Sequence, residues 1–218
     1  MLIFKFTKTG GVAYLSHLDL LRTFTRIFRR AGIRVAFSEG FHPHMKLFFA
    51  PPLSVGTESV GEYCVADTAE DPRAFLQKFN ACSMPDLQCL ACAALEKKIN
   101  LAAETRAAVY EAEFSGCRVR EVAEEILASA TYEIEFTVKG KPARKEVRQQ
   151  IFSLRAEGDR LEMTLACGEP NLRADRLCEN IIASYGGELT RLTRTDLLFG
   201  PPENLQSFSA FLHPESPG

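Results

Sequence analysis

YLSHLDLLRTFTRIFRRAGIRVAFSEGFHPHMKLFFAPPLSVGTESVGE, residues 14–62, joins an amphipathic pattern to a polar loop and then to extended segments. Leu20, Leu21, Phe24, Ile27, Phe28 and Ala31 recur at the spacing of one helical face. Ser16 is placed to cap the first turn with Asp19 three residues on, and Gly32 to stop the last turn. Arg22, Arg26, Arg29 and Arg30 fall on the other face. The spacing predicts a helix that packs through its apolar stripe and presents guanidinium groups outward.

Working outward, residues 2–6 alternate as a strand and Thr9-Gly10-Gly11 reads as a turn. Beyond the helix, residues 34–37 read as a short strand, 38–44 as a loop and 45–50 as extended chain. Pro51-Pro52 then bars a central ladder position. Residues 61–66 form a strand, a helix begins at Asp71-Pro72 with Phe75, Leu76 and Phe79 as its stripe, and 87–95 return as a strand. The second half repeats this order. A strand at 108–114 leads to a helix at 118–128 and a strand at 132–138. A hairpin of 147–155 and 160–166 turns at Glu157-Gly158-Asp159. A helix at 172–185 and a strand at 189–199 complete it, and Gly200-Pro201-Pro202 opens a tail of low order. The expectation is an α+β protein of two ferredoxin-like βαββαβ domains in tandem, each an antiparallel sheet with helices on one face. The domains are residues 1–98 and 107–200, with 201–218 as the tail.

The chain has 218 residues, 46% hydrophobic and 25% charged, an ordinary globular composition. Its apolar runs fall well short of the about 20 residues that cross a bilayer, and the opening LIFKF lacks the layout of a signal peptide. A cytoplasmic location and no membrane partner are expected. Seven cysteines, an odd number scattered through regular elements, suit reduced thiols better than a disulfide frame. Net charge is −2, but residues 1–66 carry eight Lys/Arg against four acids, +4, so the remainder carries −6. A basic patch on an acidic body suits a phosphate-bearing or acidic partner.

Three of the four histidines fall in the opening stretch: His17, His42 and His44. In Ser38-Glu39-Gly40-Phe41-His42-Pro43-His44, an extended backbone would project His42 and His44 from one side. Such a pair can hold metal, bond phosphate oxygens or move protons, with Glu39 orienting a ring and Gly40 admitting a ligand to the backbone. The plainer reading is a surface turn shaped by Pro43. His17, at the first turn of the helix, and Tyr14 before it are ambiguous between ordinary side chains and site residues. Arginines on a helix are most often a solvated face, yet with Lys46 and the interleaved Phe37, Phe41, Phe48 and Phe49 they also match what unpaired bases and phosphates require. Cys82, Cys89 and Cys92 have the spacing C-x6-C-x2-C; in a regular strand Cys89 and Cys92 point to opposite faces, and only a bulge would let them chelate together. No metal or cofactor is expected. P-loop, dinucleotide-binding, zincin and nucleophile-elbow motifs are all missing.

YLSHLDLLRTFTRIFRRAGI followed by FSEGFHPHMKLFFAPPLSVGTES closely resembles the bacterial radical SAM-linked proteins, domain of unknown function 2344, found alone or attached after a cobalamin-binding radical SAM protein. The characteristic segments are Ser16-His17-Leu18-Asp19 and residues 38–44, and the resemblance is tightest over residues 1–66. It implies a cytoplasmic partner of such an enzyme; it supplies no catalytic residues, because the family's activity is not established. The leading expectation is a non-catalytic accessory protein that contacts RNA or another anionic substrate through His17, Arg22, Arg26, Arg29, Glu39, Gly40, His42, His44 and Lys46. One alternative is metal-independent RNA cleavage using His42 or His44 as base with Lys46 steadying charge, an architecture similar to CRISPR repeat-processing endoribonucleases. Another is an adaptor that binds protein alone.

Overall fold

In the structure, a computed structural model that describes residues 1–138 and 140–212, β1 (Leu2–Lys8) lies deep inside the first half. Its alternation divides two environments. Leu2, Phe4 and Phe6 join one apolar cluster, and Ile3 joins the other. The 3₁₀ turn Gly10–Tyr14 leads to α1 (His17–Ala31). As the sequence predicts, the Ser16 hydroxyl accepts from Asp19 N, and Gly32 ends the helix in the left-handed region at φ 66°. Leu20, Phe24, Ile27 and Phe28 are its buried stripe. Next come β2 (Leu47–Phe49), β3 (Glu58–Ala66), α2 (Pro72–Cys82) and β4 (Cys89–Ala94). Asp71 caps α2 through Ala74 N, with Pro72 at its first turn.

The short α3 (Leu101–Glu104) runs directly into β5 (Thr105–Ser115). The second half continues with α4 (Val119–Ala128), β6 (Glu133–Val138), β7 (Lys141–Glu146), β8 (Ile151–Glu157), β9 (Arg160–Ala166), α5 (Ala174–Tyr185) and β10 (Glu188–Phe199); β11 (Gln206–Ser207) follows. The strands build one nine-stranded sheet, ordered β4-β1-β3-β10-β5-β9-β8, with β2 added to β3 and β11 to β10; β6 and β7 form a separate ribbon. Every pairing is antiparallel except β3 with β10. Within each half the spatial order is fourth, first, third, second strand: β4-β1-β3-β2 and β10-β5-β9-β8.

Several expected elements differ. Residues 34–37 contribute a single bridge, Phe37 with Met45, in place of a strand, because Ile33 and Val35 turn inward individually. The last hairpin begins at Ile151, and an unexpected strand, β7, pairs with β6 before it. The segment beyond Gly200 is not loose through Leu212: β11 pairs with β10, and Phe208 and Leu212 are buried in the core. The remainder of that expected tail, residues 213–218, lies outside the described residues.

The two halves meet where β3 and β10 run side by side, Glu58 and Ser59 against Thr193 and Arg194. The β10 register against β5 shifts between Arg194 and Asp196, leaving Thr195 as the extra residue of a bulge. That bulge presses on Gly61: a Cβ there would stand 2.2 Å from the Thr195 carbonyl oxygen. Only glycine lets the backbones approach this closely. Gly61→Ala is expected to destabilise the protein by about 1–3 kcal/mol, the range for overpacking, read as a lower urea midpoint at unchanged slope.

Arg194 is paired directly across from Tyr110 on β5 and also grips Glu62 on β3. Glu62 lies opposite Phe6, on the side covered by α1 and α2. Tyr110 clusters with Val122, Ile126 and Leu177 of α4 and α5. Both helix pairs therefore cover the same face of the sheet, and the seam runs between them.

Candidate functional site

The residues singled out in the sequence occupy the rim of the first half. Arg22, Arg26 and Arg29 are exposed along the outer side of α1. Arg22 pairs with Asp19 at 3.0 Å, while Arg30 turns away to donate to the Cys82 carbonyl of α2. Ser16 and Arg22 hydrogen bonds hold the Asp19 carboxyl below its usual range. The loop at 38–44 is closed on itself rather than extended. Ser38 N donates to His44 O at 2.8 Å, His44 N donates to Ser38 Oγ at 3.1 Å, and the His44 Nδ1 lies 2.9 Å from the same hydroxyl. Ser38, not Glu39, therefore orients the ring of His44. Gly40 supplies φ 110°, where other residues would be strained. Phe41 at the tip is fully exposed (102%), and Glu39, His42 and His44 are exposed around it. Lys46 is half-buried, 4.0 Å from Asp67.

His17 is separated from that loop by its own surroundings. Its ring sits edge-on to Phe49, centroids 5.4 Å apart, and it lines a small cavity with Lys8, Leu15, Leu20, Phe49, Leu53 and Glu62. Neither His42 nor His44 reaches this cavity.

Sequence reading missed what lies beneath His17. Arg194 and Glu62 form a fully buried, two-pronged ion pair, with Nε to Oε1 at 2.7 Å and Nη2 to Oε2, and Nη2 also donates to Pro51 O at 3.1 Å. Burial alone would lower the Arg194 pKa; the Glu62 carboxylate, with Tyr110 beside it, more than reverses that and raises it. Lys8, 3% exposed, donates to Ala13 O at 2.7 Å. Burial lowers the Lys8 pKa, Glu62 opposes the shift and Arg194 adds to it. The only local signal was a lysine at an inward position of β1; its partners are distant in the chain.

Above this network an open cleft of about 650 Å³ follows the seam between the Gly10–Tyr14 turn and α5. Tyr14 and Val55 are exposed at its edge, and Glu58 crosses it, accepting from Gly10 N at 2.9 Å and pairing with Arg191 at 3.0 Å. The Gly10 amide, then Arg191, holds the Glu58 carboxyl below its usual range against the effect of burial.

The cysteines need one correction. Between Lys5 and Phe6 the β1–β4 register shifts, so β4 has a bulge, and Cys89 and Cys92 both pack into the cluster under α1 and α2. Burial pushes the Cys92 thiol up to about 12 and raises Cys89 also. Buried thiols held in their neutral form are poor metal ligands. Among the described residues no three His, Cys, Asp or Glu side chains are grouped to hold a metal ion. No helix among them is long and apolar enough to cross a membrane.

No curated protein matches this sequence. A solved structure titled "Crystal Structure of a Cbf5-Nop10-Gar1 Complex" matches at 12% identity and a TM-score of 0.46, over 90% of this chain and 48% of that one. The chain thus spans about half the length of that relative, and the likeness is too slight to bear on fold or activity. Residues 2–174, from β1 to the first residue of α5, fit the family described as "Uncharacterized protein conserved in bacteria (DUF2344)", and the chain belongs to that family.

Proposed function

We propose that this chain is a non-catalytic accessory protein that holds RNA, or another anionic substrate, for a cobalamin-binding radical SAM protein in the bacterial cytoplasm. The carrying observation is the exposed row Arg22, Arg26 and Arg29 on α1, whose one ion-pair partner among the described residues is Asp19 of the same helix. Guanidinium groups left free of the fold are available to phosphate. Phe41, fully exposed between Gly40 and His42, adds a ring on which an unpaired base can stack. Glu39, His42, His44 and Lys46 supply the surrounding polar contacts, and His17 marks the other end of the helix. The strand order of each half supports a reading as two ferredoxin-like domains, residues 1–98 and 107–200, joined along β3 and β10. The link to the radical SAM protein comes from the sequence resemblance.

The test is binding of a single-stranded RNA oligonucleotide across a salt series. Arg22→Glu/Arg26→Glu/Arg29→Glu is expected to weaken binding at least tenfold and to flatten the salt dependence by about two to three units of slope, near the 0.7–0.9 expected per lost phosphate contact. Phe41→Ala is expected to weaken it by about 1–3 kcal/mol with the salt slope unchanged. Equal affinities for wild type and the triple variant would discard the reading. RNA products with 2′,3′-cyclic ends, lost in His42→Ala or His44→Ala, would replace it with the cleavage reading.

A further inference from the structure

β10 changes neighbours partway along its length. Thr193 and Arg194, paired with Glu58 and Ser59 of β3, are buried, whereas residues 188–192 just before them are exposed or half-buried. β5 pairs with this stretch on one side. On the other side β3 has not yet begun, because the chain arrives at Glu58 from a turn at Gly56, whose amide bonds away to Ala13 O. Among the described residues no strand adjoins 188–192 there. Outward N–H and C=O groups of a strand are a template for pairing wherever no neighbour takes them.

That open edge is one wall of the cleft of about 650 Å³ described above, and Leu189, Thr190, Arg191 and Leu192 line it. The stretch is about 16 Å long at the usual strand rise. Exposed Tyr14 and Val55 stand across the cleft, and Asp175 and Glu179 of α5 border it. Its carboxylates are unequally matched. Glu58 has Arg191 and Asp175 has Arg173, but Glu179 and Glu188, both exposed, have no ion-pair partner among the described residues. This surplus repels a phosphate chain and attracts lysine or arginine, whose cation the Tyr14 ring also favours. Residues 213–218, HPESPG, have the wrong chemistry to fill the cleft: two prolines lack donors, and Glu215 repeats the sign of Glu179.

We propose that the cleft docks an extended segment of a protein partner, which adds a strand to β10 at residues 188–192 and carries lysine or arginine among apolar side chains. Backbone hydrogen bonds to β10 supply the attachment, and the carboxylates of Glu179 and Glu188 select the cationic side chains. Tyr14 and Val55 receive the apolar ones. The site is separate from the arginine row of α1 and does not depend on RNA binding there.

Fluorescence anisotropy with a labelled, end-blocked heptapeptide of alternating lysine and valine tests it on the full chain. Saturable binding is expected, and hydrogen exchange read by mass spectrometry should show residues 188–192 gaining protection. The same peptide N-methylated at successive central residues, which strips donors from both its edges, should not bind. A glutamate–valine peptide should bind about fivefold more weakly, and Glu179→Lys/Glu188→Lys should reverse that preference. Both substitutions are at exposed positions, and circular dichroism checks the fold. No saturable binding of the lysine peptide overturns the proposal, as does equal binding of the methylated or the glutamate form. Protection confined to the outer strands β4 or β8 overturns it too. So does a folded Glu179→Lys/Glu188→Lys that keeps the lysine preference. Single-stranded RNA that protects 188–192 would assign the cleft to nucleic acid instead.

Discussion

Glu62→Ala should lower the free energy of unfolding by about 3–5 kcal/mol, the range for breaking a buried ion pair by removing one partner. The alanine would leave Lys8 and Arg194 facing each other in a dry interior with no carboxylate between them. Arg194→Met should cost less, because Glu62 would still have Lys8 as a nearby cation while losing its two-pronged partner. The doubly apolar Glu62→Leu/Arg194→Met should regain much of the loss, since no single charge of the pair is stranded. Urea melts of the three variants decide the matter through their midpoints at constant slope. If Arg194→Met proves the more damaging single change, the excess positive charge assigned to this cluster is wrong.

Phe4→Ala should be of similar size, about 3–5 kcal/mol. Phe4 lies between the sheet and both helices of the first half. Its ring centroid is 5.1 Å from Phe75, 5.9 Å from Phe6 and Phe24, 6.0 Å from Phe79 and 6.5 Å from Phe28. Rings at such tilted and edge-on angles fill space that a smaller residue cannot, and partners drawn from three elements cannot all move in at once. The cost is therefore transfer of the ring plus the cavity it leaves. A loss below 2 kcal/mol in the urea midpoint would mean that the cluster relaxes, contrary to the packing seen.

Local chemistry was legible in the sequence. The Ser16 cap, the Gly32 stop, the stripe from Leu20 to Phe28 and the Asp71-Pro72 start all carry their signal within a few residues, and the structure places each as read. β7, KPARKE, was missed because it has no apolar alternation: nearly all of it faces solvent, and backbone pairing with β6 alone defines it. Gly200-Pro201-Pro202 suggested an untidy ending, yet Phe208 and Leu212 find partners on β1, β4 and β10 that no nearby residue announces. The basic face of α1 and the turn at Gly40 were both foreseen as surface features. The buried set of Lys8, Glu62 and Arg194 was not, because 132 residues separate the two members of the ion pair and their meeting depends on the joining of two halves.

The single extra residue at Thr195 has a consequence for how the halves are kept aligned. Side chains two apart on a regular strand share a side, but the bulge sends Arg194 to Glu62 beneath the helices and Asp196 to Lys5, Tyr63 and Ser207 on the reverse. Opposite signs are thus clamped from both sides of the same strand. Sliding β10 along its neighbours would draw the cation away from Glu62 and the carboxylate away from Lys5 at the same time. Each misplacement breaks both clamps at once, so the joint works as a keyed coupling that favours one alignment.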